Sequence, residues 1–483
     1  MRYLLGVGEA VPAGSENGDA AGSDGEEKSE LQLSCGWLVF NVRPIVNDAA
    51  LKSAFSVFEP YSSAALAVSG GPDSMALMAL ARRWARNAGR GASFFCVLTV
   101  DHGLRPESME EAAFVAAHAQ EFEFTHATLN WTGEKPKAGI QAASRRARYG
   151  LMAAYCSDNG LDCLATGHTE DDQVETFLMR LARGSGLDGL AAMAPISELG
   201  GLPLIRPLLQ FSKARLAAYL RSRSIPFVSD PSNSNSAFER VRIRLAAKKL
   251  ASSGISRKAI SRSTARLGRS RKALSNAAED FLDYHFRVTK LGQGEVSLEA
   301  LRKLAEETRL RVLACILMLI GGKEEPPRMA KLELLMEELA SGKRRAALGG
   351  CLLISARKTL QIYREPGRLN AAPTACKPGS TLVWDRRFLV SFPEGSDEQI
   401  SLAPLGEEGW ALWRKTNEPK RDASTNRLAA LTTPALWKEG KLVSSLALPF
   451  SCPLEGETNT PSVSSKLMPR LAYFITPSGE RGN

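Results

Sequence analysis

Between Ala64 and Gly184 short apolar runs alternate with amphipathic stretches, and this alternation restricts the fold more than any other feature of the chain. "AALAV" (64–68) leads into a helical pattern from Met75, and "SFFCVLTV" (93–100) into "ESMEEAAFVAAHAQEF". "FEFTHATLNW" (122–131) leads into "IQAASRRARYGLMAAYCSDNG", and "LDCLATG" (161–167) into "EDDQVETFLMRLARG". A strand followed by a crossover helix returns to a parallel neighbour. The pattern therefore predicts an α/β unit, a Rossmann-like parallel sheet with helices on both faces.

Ligands of such sheets gather beyond the C-terminal ends of the strands. The first outlet reads Ser69-Gly70-Gly71-Pro72-Asp73-Ser74 and runs straight into a helix. Glycine allows close backbone approach, and a helix start offers amide donors and a positive dipole end to an anion. Beside phosphate, the Asp73 carboxylate calls for a bridging divalent cation, so the outlet reads as a pyrophosphate cradle with a magnesium site. The plain alternative is a tight turn with Asp73 or Ser74 as helix cap. Placement directly after the first strand favours the cradle. The G-x-x-x-x-G-K-[ST] phosphate loop occurs nowhere in the chain. The outlet resembles the S-G-G-x-D-S loop of the N-type ATP pyrophosphatases, the PP-loop superfamily, which cleave ATP between its α- and β-phosphates.

Further stretches narrow the resemblance. They are "TVDHGLRPES" (99–108), "IQAASRRARY" (140–149), "ATGHTEDDQVETFLMRLARGSGLDGLAAM" (165–193) and "DPSNSNSAFERVRIR" (230–244). In this order and spacing the chain resembles the tRNA(Ile)-lysidine synthetases, strongly over roughly 60–250. The likeness is thin at the C-terminus, where "LGGCLL" and "YREPGR" are still similar. The resemblance implies a ligase that adenylates the wobble cytidine of a CAU anticodon and then lets the ε-amine of free L-lysine displace AMP. ATP and Mg²⁺ are the implied cofactors, tRNA(Ile) and L-lysine the partners, and a homodimer an open expectation.

The residues fit that chemistry. Negative charge develops at the α-phosphorus, so positioned cations dominate catalysis. Arg145 takes the place of the first arginine in the family's A-R-x-x-R-Y-like helix, with Arg148 and Tyr149 in the later places and Ser144 where the alanine stands. His168 is expected to orient a phosphate or shuttle a proton, Asp171 to join Asp73 on Mg²⁺, and Glu175 to accept a proton or hold the lysine. A dipole-complementing cap is the alternative for the Asp171-Asp172 pair, and a turn residue for His102. His118, His126 and His285 read as surface or core residues. Two departures stand out: Thr169 replaces the family's second histidine, and Arg240-Val241 replaces its Arg-Asn.

From Arg240 to Lys272 the chain carries Arg240, Arg242, Arg244, Lys248, Lys249, Arg257, Lys258, Arg262, Arg266, Arg269, Arg271 and Lys272 with no acid among them. With a formal net charge of +10, this block reads as an RNA-phosphate contact. Its eight cysteines lack any C-x-x-C spacing and read as reduced, buried thiols of a cytoplasmic protein without a membrane segment. The missing cysteine pair argues against a tRNA thiolase, the first rival. The second rival, a non-catalytic tRNA-binding protein, is opposed by intact Asp73, Arg145, His168 and Asp171. Four segments are expected: a disordered acidic leader and lead-in (1–58), the catalytic domain (59–250), a mainly helical tRNA-binding domain (251–365), and a linker with a small mixed α/β module (366–483).

Overall fold

The computed structural model describes residues 45–103, 107–133, 135–136, 139–228, 239–369, 372–397, 399–416, 426–448 and 464–467. Its first unit runs α1 (Asp48–Phe55), β1 (Ala64–Ala67), α2 (Pro72–Asn87), β2 (Phe95–Asp101), α3 (Glu107–Glu121), β3 (Thr125–Asn130), α4 (Ile140–Asp158) and β4 (Leu164–Thr166). It continues through α5 (Glu170–Leu181), α6 (Leu187–Leu190), β5 (Ile196–Leu199), β6 (Leu202–Ile205) and α7 (Lys213–Ser222). The sheet order is β3-β2-β1-β4-β6-β5. All pairings are parallel except β5 with β6, a hairpin turned at Gly200-Gly201, both at positive φ. Strand order reverses between β1 and β4, so their C-terminal ends flank the crevice where such sheets bind ligands.

The period of two explains the layering. Ala64, Leu66 and Val68 face α1, α2, α3 and α7, in a core that includes Phe55, Phe58, Trp84, Phe95 and Phe124. Ala65 faces Tyr149, Met152 and Cys156 of α4. The parallel α/β class and the first four strands are those expected. The lead-in before residue 59 is not an appendage: Val46, Leu51, Phe55 and Phe58 are fully or almost fully buried, and Asn47 caps α1 by accepting from the Ala50 amide at 2.8 Å. Strand–helix alternation starts only at Ala64, which is why that reading set the boundary too late. Residues 1–44 of the expected leader lie outside the described residues.

Next come α8 (Glu239–Ser252) and α9 (Arg257–His285). Val174 of α5, Ala247 of α8 and Ile260 of α9 form a small apolar cluster that fixes these helices beside the crevice. At 29 residues α9 is about 43 Å long, and its far end, with Ala278, Phe281 and Leu282, enters a second core.

That core is less helical than expected. It holds β7 (Phe286–Val288), β8 (Gly294–Ser297), α10 (Leu298–Lys303), α11 (Glu306–Gly321), α12 (Met329–Ala340), β9 (Arg345–Leu348), β10 (Cys351–Ala356) and β11 (Thr359–Arg364). The strands form an antiparallel sheet in the order β7-β8-β11-β10-β9. Only β10 and β11 carry a strand pattern long enough to read; the other three have three or four residues each, set among helical stretches.

The C-terminal part is mixed and β-rich, as expected. It has β12 (Thr374–Ala375), β13 (Thr381–Trp384), β14 (Phe388–Ser391), β15 (Ser401–Pro404), α13 (Gly406–Thr416), α14 (Arg427–Ala430), β16 (Pro434–Lys438), β17 (Lys441–Ser445) and β18 (Ser464–Leu467). Trp384, Phe388, Val390 and Leu402 share one core with α11 and β10. Arg364 grips the Asp385 carboxylate with two bonds of 3.0 Å, and the fully buried Arg387 donates to the same group at 2.7 Å. The expected boundary at 365/366 therefore crosses a continuous interior. Among the described residues no helix is long and apolar enough to cross a membrane.

Candidate active site

The outlet of β1 is built as its sequence demands. Gly70 sits at φ +81, a conformation that L side chains rarely adopt, and its carbonyl accepts from the Val228 amide at 2.9 Å. Pro72 opens α2, and no side chain caps its first turn, which leaves the helix start to a ligand. The Ser74 hydroxyl donates to the Gly71 carbonyl at 2.9 Å and accepts from the Ser69 amide at 3.2 Å, closing the loop on itself.

Across the crevice the outlet of β4 touches this loop. A Cβ on Gly167 would lie 2.9 Å from the Asp73 carbonyl oxygen and 3.2 Å from the Ser74 nitrogen. Thr169, in place of the family's second histidine, is the N-cap of α5 and forms a capping box with Asp172. One Asp172 oxygen accepts from the Thr169 amide and hydroxyl at 2.9 and 2.8 Å. Its other oxygen lies 3.0 Å from the Lys213 ammonium, which also lies 3.2 Å from Asp73 Oδ2. Asp171 was the expected partner of Asp73, but its oxygens are engaged by the Lys213 amide at 2.7 Å and by Arg257. The second carboxylate sharing a cation with Asp73 is thus Asp172.

Two carboxylate oxygens here are buried and without a hydrogen-bond partner, Asp73 Oδ1 and Glu175 Oε2. Buried carboxylate oxygens are seldom left without a partner, and these two are open to a water, an ion or a ligand. Burial raises the Asp73 carboxyl above its usual range, Lys213 opposes, and Asp172 adds to the rise. Asp172 ends below its usual range because Lys213 and the Thr169 donors outweigh burial. Glu175 Oε1 is held by Arg244. Arg244, expected at the RNA surface, therefore faces inward.

The other flank is cationic. Arg145 and Arg148 stack on Tyr149 with guanidinium carbons 5.0 and 5.5 Å from the ring centroid. Arg206 follows β6, is buried, and donates to the Ala194 carbonyl and the Ser197 hydroxyl at 2.9 Å each. His168 shares a 2.8 Å hydrogen bond with Thr166. Burial first, then Arg206, Arg145 and Arg240, push the His168 imidazole down to about 3 against the pull of Asp172, so it is neutral at working pH. His102 is more than a turn residue: its ring bonds Ser144 at 3.0 Å and meets Trp131 edge-on. His118 and His126 bond Phe114 and Thr99, and His285 packs on Phe281, as structural histidines do.

Residues 46–250 match the PP-loop domain family. A tRNA(Ile)-lysidine synthase of Ruegeria pomeroyi is 37% identical over 417 residues, 84% of this chain and 93% of that one. Its counterpart in Bradyrhizobium is 41% identical over 344 residues, covering 67% and 96%. That of Orientia tsutsugamushi is 33% identical over 429 residues, covering 86% and 95%. The chain belongs to the tRNA(Ile)-lysidine synthase family.

In this member of the lysidine synthase family, Asp73 feels the charges of Asp172 and Asp171, Lys213 those of Asp172, Asp73 and Glu175, and His168 those of Asp172 and Arg145, which places these side chains near one another at the ends of β1 and β4. Sequence reasoning missed Lys213 and Arg206. "IRPLLQFSK" (205–213) carried a usable signal for Arg206, which follows a short apolar run of the kind already read at β1 and β4. The thiolase rival finds no support among the described residues. Burial drives the Cys156 thiol to about 11 and those of Cys163 and Cys351 to about 12, so none is a thiolate at neutral pH. No group of three or more metal-ligating side chains is placed to hold a metal ion among the described residues.

Proposed function

We propose that the chain ligates L-lysine to the wobble cytidine of the CAU anticodon in tRNA(Ile), consuming ATP and releasing pyrophosphate and AMP. The observation that carries this reading is the two-sided crevice. The Ser69–Ser74 loop and helix start suit a triphosphate tail, and carboxylates with unpartnered oxygens suited to cations stand within the loop, at Asp73, and opposite it, at Glu175. The cytidine carbonyl oxygen attacks the α-phosphorus while pyrophosphate leaves. The lysine ε-amine then bonds to the base carbon, loses its proton, and AMP departs.

Each residue then has a task. The α2 start and the Ser69 and Ser74 hydroxyls grip the β,γ end of ATP. Arg145, with Arg148 beside it, balances charge developing at the α-phosphate. His168, neutral and anchored by Thr166, orients a substrate group, and its depressed basicity makes it a poor acceptor for an ammonium proton. Glu175 offers its free oxygen to the incoming amino acid. The donor set fits Mg²⁺, a hard cation satisfied by one or two carboxylates plus phosphates: Asp73 would hold it, with Asp172 or Asp171 nearby. When bound it would neutralise the phosphates and the leaving pyrophosphate.

The RNA side is supported by α9. Lys258, Arg262, Arg266, Arg269 and Lys272 are exposed and spaced four, four, three and three residues apart, which sets them along one helical face over about 21 Å. The opposite face is occupied by buried Ile260, Thr264, Ala278 and Phe281, while Arg257 pairs with Asp171 and Arg271 reaches the Ala192 carbonyl. The cationic block thus divides into structural and solvent-facing members. Replacing Arg262, Arg266 and Arg269 by glutamine should raise the KM for tRNA about tenfold or more with kcat little changed. The slope of log affinity against log salt should fall by about 0.7–0.9 for each lost phosphate contact. A titration of tRNA binding at several salt concentrations checks this.

The test of the whole reading is an incubation of the full chain with ATP, labelled lysine and total tRNA. The expected result is label in RNA with an equal amount of AMP. Sulfur entering the RNA, or lysine entering without AMP, overturns it.

A further inference from the structure

Lys213 occupies an unusual place. It is the first residue of α7, its amide donates to Asp171 at 2.7 Å, and its ammonium lies within 3.0 and 3.2 Å of Asp172 and Asp73. These acids come from two different strand outlets, and nothing in helix capping requires the ammonium. Ser212 caps α7, and Thr169 caps α5. Left alone, carboxylates brought this close would repel one another. A single ammonium facing them neutralises one charge, and Asp73 Oδ1 still stands unpartnered.

The same ammonium lies beside the start of α2, where an anion would dock. Lysine carries a compact charge on a flexible four-carbon stem and can turn from one oxygen partner to another, which a guanidinium locked in a bidentate pair does less readily. Lys213 and a divalent cation on the one Asp73 carboxylate would also repel each other, so each weakens the hold of the other.

We propose that Lys213 is a placeholder cation: it holds the Asp73–Asp172 pair together in the nucleotide-free site, then leaves Asp73 on ATP binding and donates to oxygens of the departing pyrophosphate. This rests on the reading of the β1 outlet as the ATP site. It makes Lys213 a residue with two partners in turn, so its removal has effects of opposite sign. Without it, the free site is more negative and takes a bare divalent cation more tightly, while ATP loses a phosphate contact.

The test uses the full chain with Lys213→Met and Lys213→Arg. Mn²⁺ alone, without nucleotide, is titrated by electron paramagnetic resonance, and ATP dependence is measured separately. The Lys213→Met protein should bind Mn²⁺ at least about fivefold more tightly than the parent. Its KM for ATP should rise about tenfold or more, and Lys213→Arg should recover part of that loss. Circular dichroism confirms that each variant is folded. If Lys213→Met does not fold, Lys213→Gln, which still donates hydrogen bonds to the carboxylates, carries the same expectation. Unchanged or weaker Mn²⁺ binding in a folded variant overturns the proposal, and so does an unchanged KM for ATP. The Mn²⁺ titration involves neither RNA nor lysine, so it fails independently of the lysine-incorporation assay.

Discussion

Asp73→Asn should abolish ATP-dependent lysine incorporation, with a loss of about 10³-fold or more in kcat/KM, while tRNA binding stays near the parent value. The substitution keeps the side chain's shape and removes its charge. Burial lifts the Asp73 carboxyl above the ordinary range, so holding it ionised costs the folded state something. Asp172 remains to receive Lys213 at 3.0 Å, so that ammonium is not stranded. The variant should therefore melt at the parent temperature or slightly above it. Lost activity with kept stability is the signature of a group retained for chemistry rather than for folding. Thermal melts, tRNA binding and lysine incorporation on one preparation measure all three. Unchanged incorporation would remove the ATP-ligase reading of the β1 outlet.

What the sequence disclosed about this crevice depended on how far each signal acts. Ser69–Ser74 was legible because strand, glycines and helix start are contiguous, and local chemistry alone specifies them. The parallel sheet was legible because its hydrophobic period changes from element to element. The hairpin of β5 and β6 was legible in principle, through Gly200-Gly201 between two short apolar segments, but those strands break the strand–helix rhythm. Lys213 could not be placed by the same means. Its partners lie 140 and 41 residues away, and only the completed sheet brings the start of α7 beside α2 and α5. The division between Asp171 and Asp172 was equally hidden. Adjacent residues at a helix start point in directions set by the cap, and the Thr169–Asp172 capping box turns Asp172 toward Lys213. Arg244 reads as a surface cation until Glu175 is seen buried beneath it.

Gly167→Ala should also damage function severely, through packing instead of charge. Gly167 is not needed for an unusual φ. It is needed because β1 and β4 are neighbours, and their outlets press together where the strand order reverses. An added Cβ would stand 2.9 Å from the Asp73 carbonyl oxygen and 3.0 Å from its carbonyl carbon, and backbone cannot step aside as a flexible side chain can. Relief requires the first turn of α2 to move, which displaces the Asp73 carboxylate and the amides that would meet phosphate. Overpacking of this kind costs about 1–3 kcal/mol. In a domain of this size that lowers the melting temperature by roughly 2–12 °C. At a temperature where the variant is folded, lysine incorporation should fall by about 10²-fold or more. Binding of tRNA should remain, since the α9 stripe lies on a separate helix. Gly268→Ala in α9 is the control. Its Cβ would meet nothing within 4 Å, and a helix-interior glycine replaced by alanine gains up to about 1 kcal/mol. A Gly167→Ala protein with the parent's melting temperature and activity would mean that the two outlets do not touch, and the crevice between them would lose its walls.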